Sequence, residues 1–513
     1  MMTEKQTPES VFKEYEKAVD YNKQIGLYEN VEKNQDFFLG DQWRHLAAPD
    51  LEKPVLNFIK RVITYFIAML VSDDVAVSLT PFRPDEKQAA ACKILEREIR
   101  RVMERTGFKA KCRELLKNCA VDGDGDFYLW LDPESGDIQS DPIDNTKVLF
   151  GNPYVADVQA QRYILIVQRM QLAEARKVAE EKGKNPDEVR PDGEHLYYGE
   201  DMEAGDHLVT VVTRLWKQDG TVRFLKATRD LLLQGETDTG YRRYPVCHMM
   251  WERVKASYHG RSPVTGLIPN QVFINKVWAM AMCSVKNLAF PKIIYDENKI
   301  EEWDNAAGRA IAVAGDPNEA IATGFRAPDF SDQALVLVDR TISYTKDFMG
   351  ASDAALGNVK PDNTSAIIAV QRASSAPLEL QRLAFYQLVE DWVRVVIDMI
   401  RADYGVRHAI IEDAAGQQTY IESFDFSEID LEAMEVNVDV GAASYWSELS
   451  QITTMDNLLA KGVIADAVTY LEAIPDHMIK NKSRLIEKLK EQQAAQQQAM
   501  GGEMPGGGMP GGM

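Results

Sequence analysis

The chain has 513 residues, 45% of them hydrophobic and 27% charged. That is enough for several domains with substantial cores, and the bulk of it reads as globular. Its formal net charge of −21 excludes tight, general binding of nucleic acid over the surface, because such affinity comes from neutralising phosphates with Lys and Arg; it does not exclude a surface along which DNA slides.

Cysteine usage excludes a disulfide framework. Cys92, Cys112, Cys119, Cys247 and Cys283 are five in number and form no CxxC or metal-ligand spacing, so they read as reduced, buried thiols. The polar opening MMTEKQTPES gives no signal peptide. The most apolar run, Val62 to Val71, is shorter than the roughly 20 residues a membrane span requires and reads as a buried helix.

In chain order, residues 8–36 form a polar helix with Phe12, Tyr15, Val19, Tyr28 and Val31 at helical spacing and an interruption at Gly26. The helix ends at Gly40 inside Asn34–Trp43, where Phe37, Phe38 and Trp43 anchor the turn. Pro54 opens the apolar segment 55–71, and one helix of mixed charge follows at about 84–119. Strands come next at 127–131, 163–167, 207–216 and 222–224, with turn chemistry at Asp132–Gly136 and at Gln218–Gly220. Residues 171–205 read as an exposed helix plus loop.

From Pro263 the pattern is helical again, with Pro269 in a first helical turn. Gln271 to Leu288 is apolar on most faces, and such a helix must be covered on several sides. Residues 291–331 form a small strand-bearing module, and a second helix covers 331–349. Residues 353–363, with Gly357, Asn358 and Pro361, form a loop. A long helix then runs from 365 to about 404 with Pro377 inside it, where a proline bends or breaks a helix. Strands return at 406–441, helices at 448–500, and the Gly/Met/Pro-rich end cannot pack a core.

No phosphate loop, GxSxG, HExxH or dinucleotide fingerprint is present, which argues against an ATPase motor and against the common hydrolases. Asp122, Asp124 and Asp126 are spaced like the first ligands of a calcium loop. Phe127 stands where glycine is required and Pro133 where a bidentate Glu is required, so the run reads as an acidic turn before a strand. His248 and His259 flank a segment rich in aromatics and arginine (Tyr241 to Arg261). It reads as a solvated strand-to-loop connection, with a basic patch as the alternative. No catalytic set and no metal site emerge.

The stretches NQDFFLGDQW (34–43), PVLNFIKRVITYFIAMLVSDDVAVSLTP (54–81), GRSPVTGLIPN (260–270), FMGASDAALGNVKPDNT (348–364) and the Gln/Met/Gly-rich tail, in this order, resemble portal proteins of tailed bacteriophages, an architecture shared by herpesvirus portals. The resemblance covers nearly the whole chain. It implies an α+β ring subunit with a mixed wing domain, a two-helix stem, a small α/β clip, a long kinked helix and a helical crown. Carried over, the wing is 1–255 with strands 406–445. The stem helices are about 266–289 (within 256–290) and 332–351, around a clip at 291–331. The tunnel loop is 352–364, the long helix with its kink at Pro377 is 365–405, the crown is 446–499, and 500–513 is a disordered tail.

The function so implied is a ring of about twelve copies at one capsid vertex. It would be the channel for packaging and ejecting double-stranded DNA without sequence preference. Its partners would be a terminase motor, a head–tail adaptor, and capsid and scaffold proteins, with no membrane, no cofactor and no enzymatic activity. The location would be the virion, with the host cytoplasm during assembly. The DNA-facing loop residues would be Asp353, Asn358, Val359, Lys360, Asp362 and Asn363, with Lys276, Lys286 and Lys346 as further lumen residues. The rival readings are another head–tail structural protein and a metal-dependent hydrolase or nuclease.

Overall fold

The computed structural model describes residues 6–44, 46, 51–71, 75–82, 86–192, 207–289, 292–300, 311–316, 318, 322–325, 332–349, 376–412, 419–430 and 433–440, with 455, 470–471, 486 and 488–489. The chain divides into two compact units, residues 1–71 with 77–438, and residues 72–76 with 439–513. Nearly all described elements belong to the first. The expected crown and tail, and the expected tunnel loop, lie outside the described residues apart from isolated helical positions in the crown.

Helix α1 (Pro8–Gln24) begins at a capping box of Thr7 and Ser10, with Pro8 in its first turn, where the missing N–H costs nothing. Its buried stripe of Val11, Phe12, Tyr15 and Val19 packs on Leu165, Val212, Trp216 and Leu225 of a five-stranded antiparallel sheet. Gly26 and Gly40, at φ 69° and 117°, separate and end the next helix, α2 (Leu27–Leu39). Both breaks fall where the sequence places them, because only glycine enters the left-handed region without strain. Helix α3 (Phe58–Leu70) carries the apolar run and is capped by Asn57. No described helix is long and apolar enough to cross a membrane.

After strand β1 (Val75–Pro81) the expected single helix is two, α4 (Glu86–Thr106) and α5 (Phe108–Asp122), broken at Gly107 with φ 63°. The break lets Phe108 turn inward against Trp392, their ring centroids 4.2 Å apart. Strand β2 (Asp124–Leu131) contains the expected strand 127–131, and after the expected turn it pairs with β3 (Ile138–Asp144), a strand not among those expected from the sequence. Beyond them lie β4 (Val148–Phe150), β5 (Tyr163–Gln171), helix α6 (Leu172–Glu181), β6 (Leu208–Gln218), β7 (Thr221–Ala227), β8 (Leu232–Asp238) and β9 (Val246–Met250). One sheet has the order β3-β2-β9 and the other is the meander β4-β5-β6-β7-β8.

Helix α7 (Pro263–Ala289) is followed by β10 (Lys292–Tyr295), β11 (Ala322–Phe325) and α8 (Asp332–Phe348). A long helix, α9 (Glu379–Asp403), and strands β12 (Val406–Glu412), β13 (Thr419–Asp425) and β14 (Met434–Val440) complete the unit. Strand β12 pairs with β13, and β14 with β1. Helix α9 buries Trp392 completely, and its indole N–H donates to the Ser140 hydroxyl at 2.9 Å.

One expectation about a proline is corrected. Pro269 is not in a first turn but inside α7. The helix starts at Pro263, where the hydroxyl of Ser262 accepts the Val264 N–H at 3.0 Å and supplies the cap. Pro377 lies in a single 3-10 turn, Ala376–Leu378, and α-helical geometry begins at Glu379. The expected kink depends also on residues 365–375, which lie outside the described residues.

Candidate functional site

Helices α7 and α8 form a hairpin. At one end the antiparallel pair β10–β11, in register Lys292 to Phe325, brings the end of α7 and the start of α8 together. At the other end the Asn270 amide donates to the Thr345 hydroxyl at 2.9 Å. Ile274, Val277 and Val338 form the buried seam between them, with Trp278, Ala334 and Ile342 packed against it.

Both flanks of the seam carry apolar side chains that face water. At about 100° per residue, Phe273 and Met280 share one flank of α7, and Met282 stands on the other. On α8, Leu337 and Tyr344 share a flank and Val336 lies away from it. Met280 is 46% and Leu337 53% exposed. A soluble single chain rarely leaves a contiguous apolar surface of this kind uncovered.

The root of α7 is held by a ladder of buried amides. Gln271 accepts from the Phe58 N–H at 3.2 Å and donates to the Leu56 carbonyl at 2.7 Å and to the Asn275 side chain at 2.9 Å. Asn275 donates to Gln42 at 2.6 Å, and Gln42 to the Phe37 carbonyl at 3.0 Å. Asn34 reaches both the Val121 carbonyl and the Thr265 hydroxyl at 2.9 Å. The Trp43 indole caps the Pro54 carbonyl at 2.8 Å. The stretch 34–43 is therefore a socket for α7, with its polar side chains paired as burial demands.

The lysines expected near a lumen are dispersed. Lys276 is exposed on α7, Lys346 is half-buried on α8, and Lys286 is exposed and pairs with Glu52 at 3.0 Å. That partner raises the Lys286 pKa by hydrogen bonding and by charge. Asp353, Asn358, Val359, Lys360, Asp362 and Asn363 lie outside the described residues.

Beside the root of α7 the structure assembles a group that sequence reasoning missed. Asp124 and Asp126 are not an exposed turn; they are residues of β2 and only 1% and 2% exposed. Asp126 stands opposite His248 in the β2–β9 register. Its carboxylate is 3.0 Å from His248 Nδ1, and His248 Nε2 lies 2.8 Å from the Tyr258 carbonyl. His259 Nδ1 is 2.9 Å from Asp124, and its Nε2 is 3.1 Å from Asn22 of α1. Between the two histidines residues 252–256 are exposed, as a solvated connection requires, but its ends are not: Trp251, Tyr258 and His259 are buried, as is Tyr244 before it.

Two glycines make this closure possible. A Cβ on Gly260 would meet the Gly123 carbonyl oxygen at 2.4 Å, and one on Gly123 would meet the Gly260 carbonyl oxygen at 2.8 Å. The backbones cross where only hydrogen fits, which presses His259 onto Asp124.

Burial weakens the His248 proton, but the carboxylates of Asp126 and Asp124 and the Tyr258 carbonyl outweigh it and raise its pKa to about 9. For Asp126 burial wins over His248 and the carboxyl sits above its ordinary range. For Asp124 the imidazoles of His259 and His248 and the Asn145 amide overcome burial and hold it below. Burial pushes Asp122 up to about 8, partly offset by Gln35.

A comparison with curated proteins yields no match. A model of the family described as phage P22-like portal protein matches residues 13–505, a span that takes in the socket, both sheets and the whole two-helix hairpin. The chain belongs to the phage P22-like portal protein family.

Proposed function

We propose that copies of this chain close into a ring, about twelve in number as in the portals it resembles, around a bore that carries double-stranded DNA into and out of a capsid. The observation that supports this reading is the α7–α8 hairpin, with apolar side chains exposed on both sides of its buried seam. Neighbours on both sides are what a closed ring supplies and a monomer does not. In this reading α7 and α8 are the stem, and the module at 291–331 is the clip, on which a terminase motor and later a head–tail adaptor dock. The ring sits at a capsid vertex in contact with capsid and scaffold proteins, after assembly in the host cytoplasm. No catalysis is part of this role. The side chains of the histidine–aspartate group are 3% exposed or less, which leaves little face for a substrate.

The loop 352–364 lines the bore in this reading. Lys360 makes weak, exchangeable phosphate contacts, and Asp353 and Asp362 keep them weak, so that DNA slides. Lys360→Glu is expected to change DNA packaging or retention in an in vivo packaging assay while leaving ring assembly intact. Packaging and retention at wild-type levels in that variant would remove Lys360 from the bore.

A further inference from the structure

The geometry points to a divalent transition-metal site buried at the root of α7, with Asp124, Asp126 and His248 as ligands. These three residues each offer one ligand atom, and the atoms lie within 4.8 Å of one another. They come from two adjacent strands. Asp124 and Asp126 are two residues apart on β2 and so share one face, and His248 is the direct cross-strand partner of Asp126 on β9. Donors bonded to one metal at about 2.0–2.2 Å stand roughly 3–3.5 Å apart. The 3.0 Å between Asp126 Oδ1 and His248 Nδ1 already has that span, and Asp124, whose ligand atom lies within 4.8 Å of both, would join by turning an oxygen from its present partners.

The surroundings are those of a ligand set. With Nε2–H donated to the Tyr258 carbonyl at 2.8 Å, His248 presents Nδ1 to the carboxylates. A ligating histidine is usually oriented in this way by a carbonyl acceptor on its other nitrogen. Asp124 is in turn held by His259 at 2.9 Å, by the Asn145 amide at 3.0 Å and by the Gly260 N–H at 3.3 Å.

A second observation points to a missing partner. Asn145 is 1% exposed, and its side-chain Oδ1 has no hydrogen bond although its Nδ2 touches Asp124. An unmatched oxygen in so buried a place is costly. A flip of that amide would set the oxygen about where Nδ2 now stands, 3.0 Å from Asp124 Oδ1, the spacing of two donors on one cation.

Charge and chemistry decide the class of ion. Without an ion the raised pKa of His248 lets a proton on its Nδ1 compensate part of the carboxylate charge; a divalent cation would displace that proton and supply both charges at once. One imidazole nitrogen among oxygens favours zinc and its first-row neighbours over calcium or magnesium, which prefer oxygen alone. The site is closed, so the ion would enter as the chain folds, and its role would be structural. It would pin β2, β9 and the loop before Pro263 together at the point from which α7 departs.

The test uses the full chain, refolded in parallel with Zn2+ and with a chelator, then desalted and analysed for bound metal and for thermal midpoint. One Zn2+ per chain and a higher midpoint in the zinc sample are expected. Asp126→Asn and His248→Gln should each lose the metal, and His259→Gln should weaken its binding about 10–100-fold, as loss of a supporting partner does. Wild-type protein that folds without retaining zinc overturns the assignment, as does retention of one equivalent by a folded Asp126→Asn, His248→Gln double variant. If those variants do not fold, Co2+ in the wild-type chain decides. Visible d–d bands without a thiolate charge-transfer band support the assigned ligands. No cobalt uptake, or a thiolate band that would implicate Cys119 instead, contradicts them.

Discussion

Introducing aspartate at both Met280 and Leu337 is expected to abolish the ring and leave a folded single chain. In the isolated subunit both side chains are about half exposed, so the substitutions should change its own stability by no more than about 0.5 kcal/mol each. In the ring each side chain would be covered by a neighbour, a gain of about 1.5–3 kcal/mol. A carboxylate in the same place loses that gain and adds a desolvation cost of several kcal/mol. A loss above about 4 kcal/mol per contact corresponds to at least a thousandfold weaker association, repeated at every interface. Sedimentation velocity, with circular dichroism as the check on folding, separates the outcomes. A double variant that assembles as well as wild type would show that these flanks are not the contact surfaces.

The second large effect is expected at Asp126. Replacing it with alanine leaves His248 buried without its carboxylate and should destabilise the chain by about 3–5 kcal/mol, the usual result of breaking a buried charged pair on one side only. Replacing both members, with leucine at Asp126 and at His248, should cost less than the single change, because no unpaired charge stays behind. Denaturant midpoints of the wild type, the single and the double variant provide the comparison. A single variant as stable as wild type would mean that the two groups do not interact in the folded chain.

Much of the α-helical framework is legible in the sequence because its signals are local. Gly26 and Gly40 end helices for steric reasons that need no tertiary context. Strand β2 and the turn at 132–136 are announced by an aromatic run and by turn chemistry, and α7 by apolar residues on nearly every face. The missed elements fail for equally physical reasons. Gly107 breaks a helix whose charge pattern continues unchanged on either side, so only the left-handed backbone marks it. Strand β8 is half polar, and β9 contains a histidine at a position that periodicity assigns to solvent. Pro263, not Pro269, starts α7, because the serine before it supplies the cap.

The histidine–aspartate group was invisible for a different reason. His248 meets a residue 122 positions away and His259 one 135 positions away, and no local pattern announces such a meeting. The available signals were two short ones, the alternation Asp-Gly-Asp-Gly-Asp at 122–126 and the paired glycines at 123 and 260. The first resembles a surface turn until the strand buries it. The second becomes meaningful only when the two backbones are seen to cross. The same limit applies to the constellation a metal-dependent hydrolase would require: Asp124, Asp126 and His248 meet only in the fold, where both aspartates are buried.

Imaging the purified full-length protein by negative-stain electron microscopy tests most directly whether the exposed flanks of α7 and α8 are covered by other copies of the chain. Closed rings with a central hole are the expected result. A stable, compact monomer persisting at high concentration, its hairpin flanks still bare, would contradict the account.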